Sequence, residues 1–322
     1  MWLYNGTRRF QSPVLYESGF TMRRNDMKPH DIDYKHTTAE IEAMRRLLVK
    51  SYAVSLKPFN WRLAMLENWI FGSRYLEAPE FFLSRVHLWN NPAGDLVAFV
   101  VRGTNFIHIQ VDYEYRFLED EIFDWAERNM PGDAGQMSAM VYDWDIERQQ
   151  MLARRGYQNL SAIEDLRIYD LRRTIPQPAL PEGFRFSTVA ECGDIAGRIE
   201  LENRVWGVSL NQAWFRGKSS SPSYSLDWDL LVVSPEGRQA AFNLVWLYPE
   251  NKTAEIDPLG TDPDFRQRGL AKALLLESFR RMQAQGICYA YIGSEAADDV
   301  VSRLYASLGP VESYQRYHWR KG

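Results

Sequence analysis

The residues of this chain best suited to chemistry stand close together in its last quarter. Arg266-Gln267-Arg268-Gly269-Leu270-Ala271-Lys272 sets three cations around a glycine, just ahead of a run with apolar residues at helical spacing. A loop that opens directly into a helix offers unpaired backbone N–H groups and the positive end of the helix dipole, a combination suited to a pyrophosphate. Gly269 allows close backbone approach, and the forks of Arg266 and Arg268, with the Lys272 ammonium, bring charge for phosphate oxygens. Eleven residues before Arg266 stands Glu255. Asp257 lies two residues further on, on the same face of an extended segment, so the two carboxylates can share a role or raise one pKa by repulsion.

Such a string recurs by chance, so the elements that must position it carry weight. Alternation over 184–189 predicts a strand, and apolar spacing predicts helices over 191–205 and 210–217. Two β-rich runs, 228–233 and 239–248, flank the turn Ser234-Pro235-Glu236-Gly237 and read as an antiparallel hairpin. A strand over 254–259 leads into the basic loop. In the helix that follows, Ala271, Leu275, Phe279 and Met282 share one face, Arg280 and Arg281 read as solvated cations in its last turn, and Gly286 ends it. A short strand at 288–292, a helix over 298–308 ended by Gly309, and a strand over 311–319 complete the order βααβββαβαβ.

The stretch Ala254-Glu255-Ile256-Asp257-Pro258-Leu259-Gly260-Thr261, continued through Asp262-Pro263-Asp264-Phe265 to the basic loop, closely resembles the acetyl-CoA-binding motif of the GNAT superfamily of N-acetyltransferases. The resemblance spans 183–322. It implies a mixed sheet that splays open beside the fourth strand, so that the pantetheine arm bonds to strand backbone near Leu259, Gly260 and Thr261; Pro258 suits interrupted pairing. It implies acetyl-CoA as co-substrate, held by Arg266, Gln267, Arg268, Gly269, Leu270, Ala271 and Lys272, with no metal and no covalent intermediate. By the same resemblance Glu255 is the general base for an acceptor amine, and Tyr305 protonates the departing thiolate or bonds its sulfur. The chain departs from the family pattern at Asp298, where many members carry an asparagine that meets pantetheine, and at Gly309-Pro310 in place of Gly-Phe. Trp206, Trp214, Tyr224, Trp228 and Trp246 precede the loop, and an acceptor pocket could draw on some of them.

The first half repeats the order. Helices are expected over 39–54 and 61–70, strands over 81–89, 96–101 and 106–111, a helix over 116–128, a strand over 137–144, a helix over 146–155 and a strand over 158–171. Aligning Tyr115-Arg116-Phe117-Leu118-Glu119-Asp120-Glu121 on Phe265 to Ala271 puts Glu119 in place of the glycine and sets three carboxylates where phosphates would sit. The Glu255 position falls near Asn105 and the Tyr305 position on Leu152. The expected fold class is therefore α/β (α+β): two tandem GNAT folds, each a mixed, mostly antiparallel twisted sheet flanked by helices. The expected division is a degenerate domain over 1–173, a linker over 174–182 marked by Pro176, Pro178 and Pro181, and an acetyltransferase domain over 183–322. Mycothiol synthase-like proteins are similar in arrangement.

Composition bounds the partners. A length of 322 residues suits two domains. With 45% hydrophobic and 25% charged residues and no run of 18 apolar residues, a membrane span is not expected. Thirty-eight basic against 42 acidic residues give a net charge of −4, which argues against nucleic acid. Cys192 and Cys288 are too few for a disulfide framework and read as reduced thiols in a cytoplasm, while His30, His36, His87, His108 and His318 lack metal-ligand spacing. Thr7-Arg8-Arg9-Phe10 is not followed by the apolar stretch of an export signal. The function expected is transfer of an acetyl group to the amine of a small molecule. The alternative is a non-catalytic acyl-CoA-binding or regulatory protein, and oligomeric state is not legible.

Overall fold

Twelve strands among the described residues join into one continuous sheet. The computed structural model describes residues 28–322 apart from 56, 58, 59, 74–78, 104, 105 and 132–135. Asn105 and the Thr7-Arg8-Arg9-Phe10 stretch lie outside the described residues. The first half runs β1 (His30–Asp33), α1 (Thr38–Ser55), α2 (Leu63–Glu67) passing into a π-helical turn, Asn68–Ser73, then α3 (Pro79–Leu83), β2 (Val86–Asn90), β3 (Leu96–Arg102) and β4 (Ile107–Val111). A 3-10 turn, Tyr113–Leu118, opens α4 (Glu119–Asn129), and β5 (Met137–Tyr142), α5 (Ile146–Arg154) and β6 (Gln158–Asp170) follow.

The second half runs β7 (Arg185–Thr188), α6 (Val189–Cys192), α7 (Ile195–Trp206), α8 (Gln212–Ser219), β8 (Asp229–Val233), β9 (Gln239–Tyr248) and β10 (Thr253–Thr261). The 3-10 turn Pro263–Phe265 then leads to α9 (Leu270–Ala284), β11 (Tyr289–Glu295), α10 (Asp299–Ala306) and β12 (Glu312–Lys321). The order is βαααβββαβαβ, one helix more than expected.

Local differences from expectation have local causes. The segment expected as one strand over 81–89 divides, because Pro79 starts a helical turn that ends before Val86. The helix expected over 191–205 breaks at Gly193, whose φ of 65° ends α6, and Asp194 restarts it by accepting from the Gly197 N–H at 2.9 Å. β1 was not expected; it pairs with β2 along the outer edge.

The sheet order is β1-β2-β3-β4-β5-β12-β6-β11-β10-β9-β8-β7. Only β4–β5 and β10–β11 pair in parallel. The halves exchange their final strands: β12 lies between β5 and β6, and β6 lies between β12 and β11. One apolar cluster also crosses the boundary. Met44, Leu47 and Leu66 from α1 and α2 pack in the same cluster as Leu244, Trp246 and Tyr248 of β9, so first-half helices cover one face of the second half's sheet. On the opposite face α9 packs Leu274, Leu275, Phe279 and Met282 against Ala254 and Ile256 of β10. Residues 174–181 carry neither helix nor strand, and Ile175 and Leu180 rest against that second-half core.

Candidate active site

β10 and β11 stay together only from Thr253↔Tyr289 to Glu255↔Tyr291. β10 meanwhile continues to Thr261 against β9, with an irregularity between Ile256 and Leu259 where the Asp257–Pro258 peptide is cis. Beyond Glu255 the β10 edge that faced β11 therefore leaves the ladder, which is the splayed sheet the sequence led us to expect. Backbone polar groups on such an edge need partners.

The basic loop lies at the far end of this opening. Asp262, itself buried, accepts from the Asp264 N–H and from Arg204 Nε at 2.9 Å and an Arg238 Nη at 2.8 Å, fixing the chain before the loop turns. Gln267 and Gly269 both adopt positive φ, 62° and 77°. Gly269 is the N-cap of α9 and offers no side-chain cap, so the first N–H groups of a 15-residue helix face outward unanswered by the side chain. Arg266, Gln267, Arg268 and Lys272 are exposed around it, whereas the Leu270 side chain is buried and only its backbone is available to a ligand. Gly260 is buried because a Cβ there would meet Phe242 at 2.6 Å and Val205 at 2.8 Å.

Glu255 sits at the inner end of the opening and is only 1% exposed. Its Oε1 accepts from Arg62 Nε at 2.6 Å, and Arg62, from the N-cap position of α2, also meets Glu164 of β6 at 2.7 Å and donates to the Tyr142 hydroxyl at 2.7 Å. Arg316 of β12 pairs with Glu164 at 2.8 Å. Burial pushes the Glu255 carboxyl up to about 7, with Arg62 opposing and Asp257 adding to the rise. Glu164 goes the other way: burial disfavours its charge, but Arg316 and Arg62 outweigh that and hold it below the usual range. Asp257 is reached by solvent, yet the protein crowding around it raises its pKa against the pull of Arg62 and Lys218. Arg62 thus faces Glu164, Glu255 and Asp257, with Arg316 on Glu164 and Lys218 on Asp257.

Tyr305 is buried on α10, its pKa raised first by burial and then by the Asp257 charge. Its mounting comes from β6: Tyr169 OH donates to the Tyr305 carbonyl at 2.9 Å, and Arg167 lies over the Tyr305 ring while donating to Ser294 and Ser302. Asp298 is exposed and caps α10, accepting from the Val300 and Val301 N–H groups at 3.0 Å. Of the five aromatic residues considered for a pocket, Trp246 is core and donates to the Asp257 carbonyl at 2.6 Å, and Trp206 is 52% exposed. Tyr224 holds Asp229, and Trp228 lines a surface groove.

Residues 198–309 match the model of the Acetyltransferase (GNAT) family. Over this segment the chain is similar to GNAT acetyltransferases. A mycothiol acetyltransferase of Saccharomonospora viridis is 27% identical over 146 residues, 42% of this chain and 48% of that protein. The chain spans about half the length of the curated relatives it matches. In three dimensions it resembles a tandem GNAT protein from the clavulanic acid biosynthesis pathway, with a TM-score of 0.61 at 13% identity over 91% of this chain and 98% of the other. A GCN5-related N-acetyltransferase from Sphaerobacter thermophilus gives 0.58 at 20% identity over 90% and 95%. These likenesses establish the fold of both halves.

The first half repeats the strand, 3-10 turn and helix of the second but carries Glu119 at the helix start. Glu119, at the start of α4, is buried and takes Arg116 at 2.7 Å and Arg148 at 3.0 Å, and these arginines hold its carboxyl below its ordinary value despite burial. Of the three carboxylates expected to face phosphates, Glu119 is thus turned inward onto two arginines, whereas Asp120 and Glu121 are exposed; Leu152 is core. Sequence reading missed Arg62, Glu164, Arg204 and Arg238. A basic residue between Trp61 and Leu63 was the available signal for the first, since a charge in an apolar run needs a partner. No helix among the described residues is long and apolar enough to cross a membrane.

Proposed function

We propose that the protein is an acetyl-CoA-dependent N-acetyltransferase acting on the amine of a small molecule in the cytoplasm, with its working site in residues 183–322. The observation that supports this best is the parting of β10 from β11 immediately after Glu255, in line with the uncapped start of α9. The pantetheine arm would complete the β10 edge at Leu259 to Thr261, and the pyrophosphate would meet the N–H groups of Gly269, Leu270 and Ala271 with Arg266, Gln267, Arg268 and Lys272 around it. The match of residues 198–309 to the Acetyltransferase (GNAT) family supports the same reaction class, and the Pro-rich stretch over 174–182 is our proposed boundary.

In this reading Asp257, the carboxylate that solvent reaches, draws the cationic amine. Glu255, sealed from the cleft, takes the proton through water, and the freed nitrogen attacks the thioester carbonyl, which backbone N–H groups near Leu259 polarise. The carbon–sulfur bond breaks and the Tyr305 hydroxyl supplies a proton to the sulfur.

Titration calorimetry of the full chain with acetyl-CoA should give one site per chain, abolished by Gly269→Glu; two sites would mean that the Glu119 region also binds. An amine panel should then yield an acetylated product. Glu255→Gln should lower turnover by roughly 100-fold or more, the scale of general-base catalysis, while acetyl-CoA affinity holds. Binding without turnover for any amine would instead favour a sensor of acyl-CoA.

A further inference from the structure

A small, partly open cavity lies beside Glu255, on the side covered by the first half. It measures about 40 Å³, and Ser51 of α1, Trp61, Arg62, Gln110 of β4, Tyr248 of β9 and Glu255 are among its walls. Five of these side chains bring polar atoms that are fully buried and have no hydrogen-bond partner among the described residues: Ser51 Oγ, Trp61 Nε1, both amide atoms of Gln110, the Tyr248 hydroxyl and Glu255 Oε2. Ser51 is 5% exposed and Gln110 1%. The Ala64 amide lies near the Tyr248 hydroxyl without hydrogen-bonding geometry.

Leaving a buried polar group unpaired costs about 1–3 kcal/mol, so a cluster of such atoms around one space is not stable dry. A cavity of this size has room for about two or three waters, each of which wants two to four polar partners. The lining supplies both donors and acceptors: the Trp61 N–H and the Gln110 amide N–H groups donate, Glu255 and the Gln110 carbonyl accept, and the Ser51 and Tyr248 hydroxyls do either. Val49, Leu63, Tyr248 and Asn251 also line a much larger groove of about 850 Å³ on the surface, so the small space borders an outlet.

We infer that the two halves jointly line a hydrated chamber that solvates the buried carboxylate of Glu255 and carries its proton to the groove beside α1, away from the acetyl-CoA cleft. The proton-carrying role rests on Glu255 being the base; the hydration does not. In the step itself, protonated Glu255 gives its proton to chamber water, the Ser51 hydroxyl accepts one proton as it releases its own, and a proton passes to the groove. Glu255 returns to the carboxylate with no net change in the wall. Gln110 cannot relay but orients the water. The charged and titratable groups facing Glu255 are Arg62, Glu164 and Asp257, with the Tyr142 and Tyr248 hydroxyls alongside, and none of them needs to change charge.

A high-resolution crystal structure of the full chain should show ordered water about 2.7–3.2 Å from Glu255 Oε2 and bonded also to Ser51 or Gln110; a dry or collapsed space overturns the proposal. Difference infrared titration of the Glu255 carboxyl, assigned with Glu255→Gln, supplies a second test that needs no acceptor. Gln110→Leu, and the milder Ser51→Ala should the first not fold, remove water anchors and should make the carboxyl bind its proton about tenfold more tightly, with acetyl-CoA affinity unchanged within twofold. A carboxyl that titrates as before in the folded variants overturns the proposal, while the enzymatic reading fails separately, through absence of turnover in the intact chain.

Discussion

At the scale of single residues, Glu255 and Arg62 decide how the site responds to pH. Glu255 must be ionised to act as a base, and burial lifts its carboxyl to about 7, so kcat/KM should rise with pH and level off above neutrality. Arg62 is the main influence pulling that value down. Arg62→Met should therefore move the inflection upward, to more alkaline pH, and a rate–pH profile with the inflection unmoved would show that the 2.6 Å contact does not set the base's proton affinity. Glu164 buffers the exchange: with Arg316 and Arg62 as partners it keeps its charge when Glu255 takes a proton. Nothing in the neighbourhood of Glu255 along the chain announces this. Its arginine lies 193 positions away, and such pairings depend on how helices and strands stack, which local pattern does not encode.

At the scale of elements, the cofactor segment was legible because its chemistry is local. A glycine at a helix start, flanking cations and a preceding strand occur in one continuous run, and the structure puts Gly269 at that start with Arg266, Arg268 and Lys272 exposed around it. Gly260 shows how tightly the run is fitted. Gly260→Ala would press a methyl group into Phe242 and Val205 and should cost about 1–3 kcal/mol in denaturant unfolding, with a loss of acetyl-CoA affinity as β10 shifts. In the first half the same helix start is occupied from within. Glu119→Gln should leave Arg148, buried beside it, poorly paired and destabilise the protein by roughly 3 kcal/mol, while acetyl-CoA stoichiometry stays at one. A second binding site appearing in that variant would show that the internal carboxylate had been excluding the ligand. The strand and helix order in this half was readable from periodicity except for β1, which was not expected, and for the split of 81–89, which turned on a single proline.

At the scale of the whole molecule, neither half is complete alone. Removal of residues 1–174 would take β6 from between β11 and β12 and leave Tyr305 without the Tyr169 and Arg167 contacts that seat α10. That fragment should fail to give a cooperative unfolding transition on its own. Co-expressed with residues 1–174, it should be recovered as a complex that binds acetyl-CoA; a second half that folds and binds unaided would show that the exchanged strands are dispensable. Nothing in the residues of β6 or β12 distinguishes pairing within a half from pairing across halves, which is why the exchange could not be read from sequence. It also sets a timetable for synthesis. β12, over Glu312–Lys321, joins β5 to β6, and β6 also pairs with β11, so when the ribosome has finished the first half β5 lacks one neighbour and β6 lacks both. At about 5–20 residues per second the missing strand follows roughly ten to thirty seconds later. During that interval the nascent chain is a target for chaperones, and Tyr305 and Glu255, the proposed acid and base, cannot be brought into place until translation has passed residue 321.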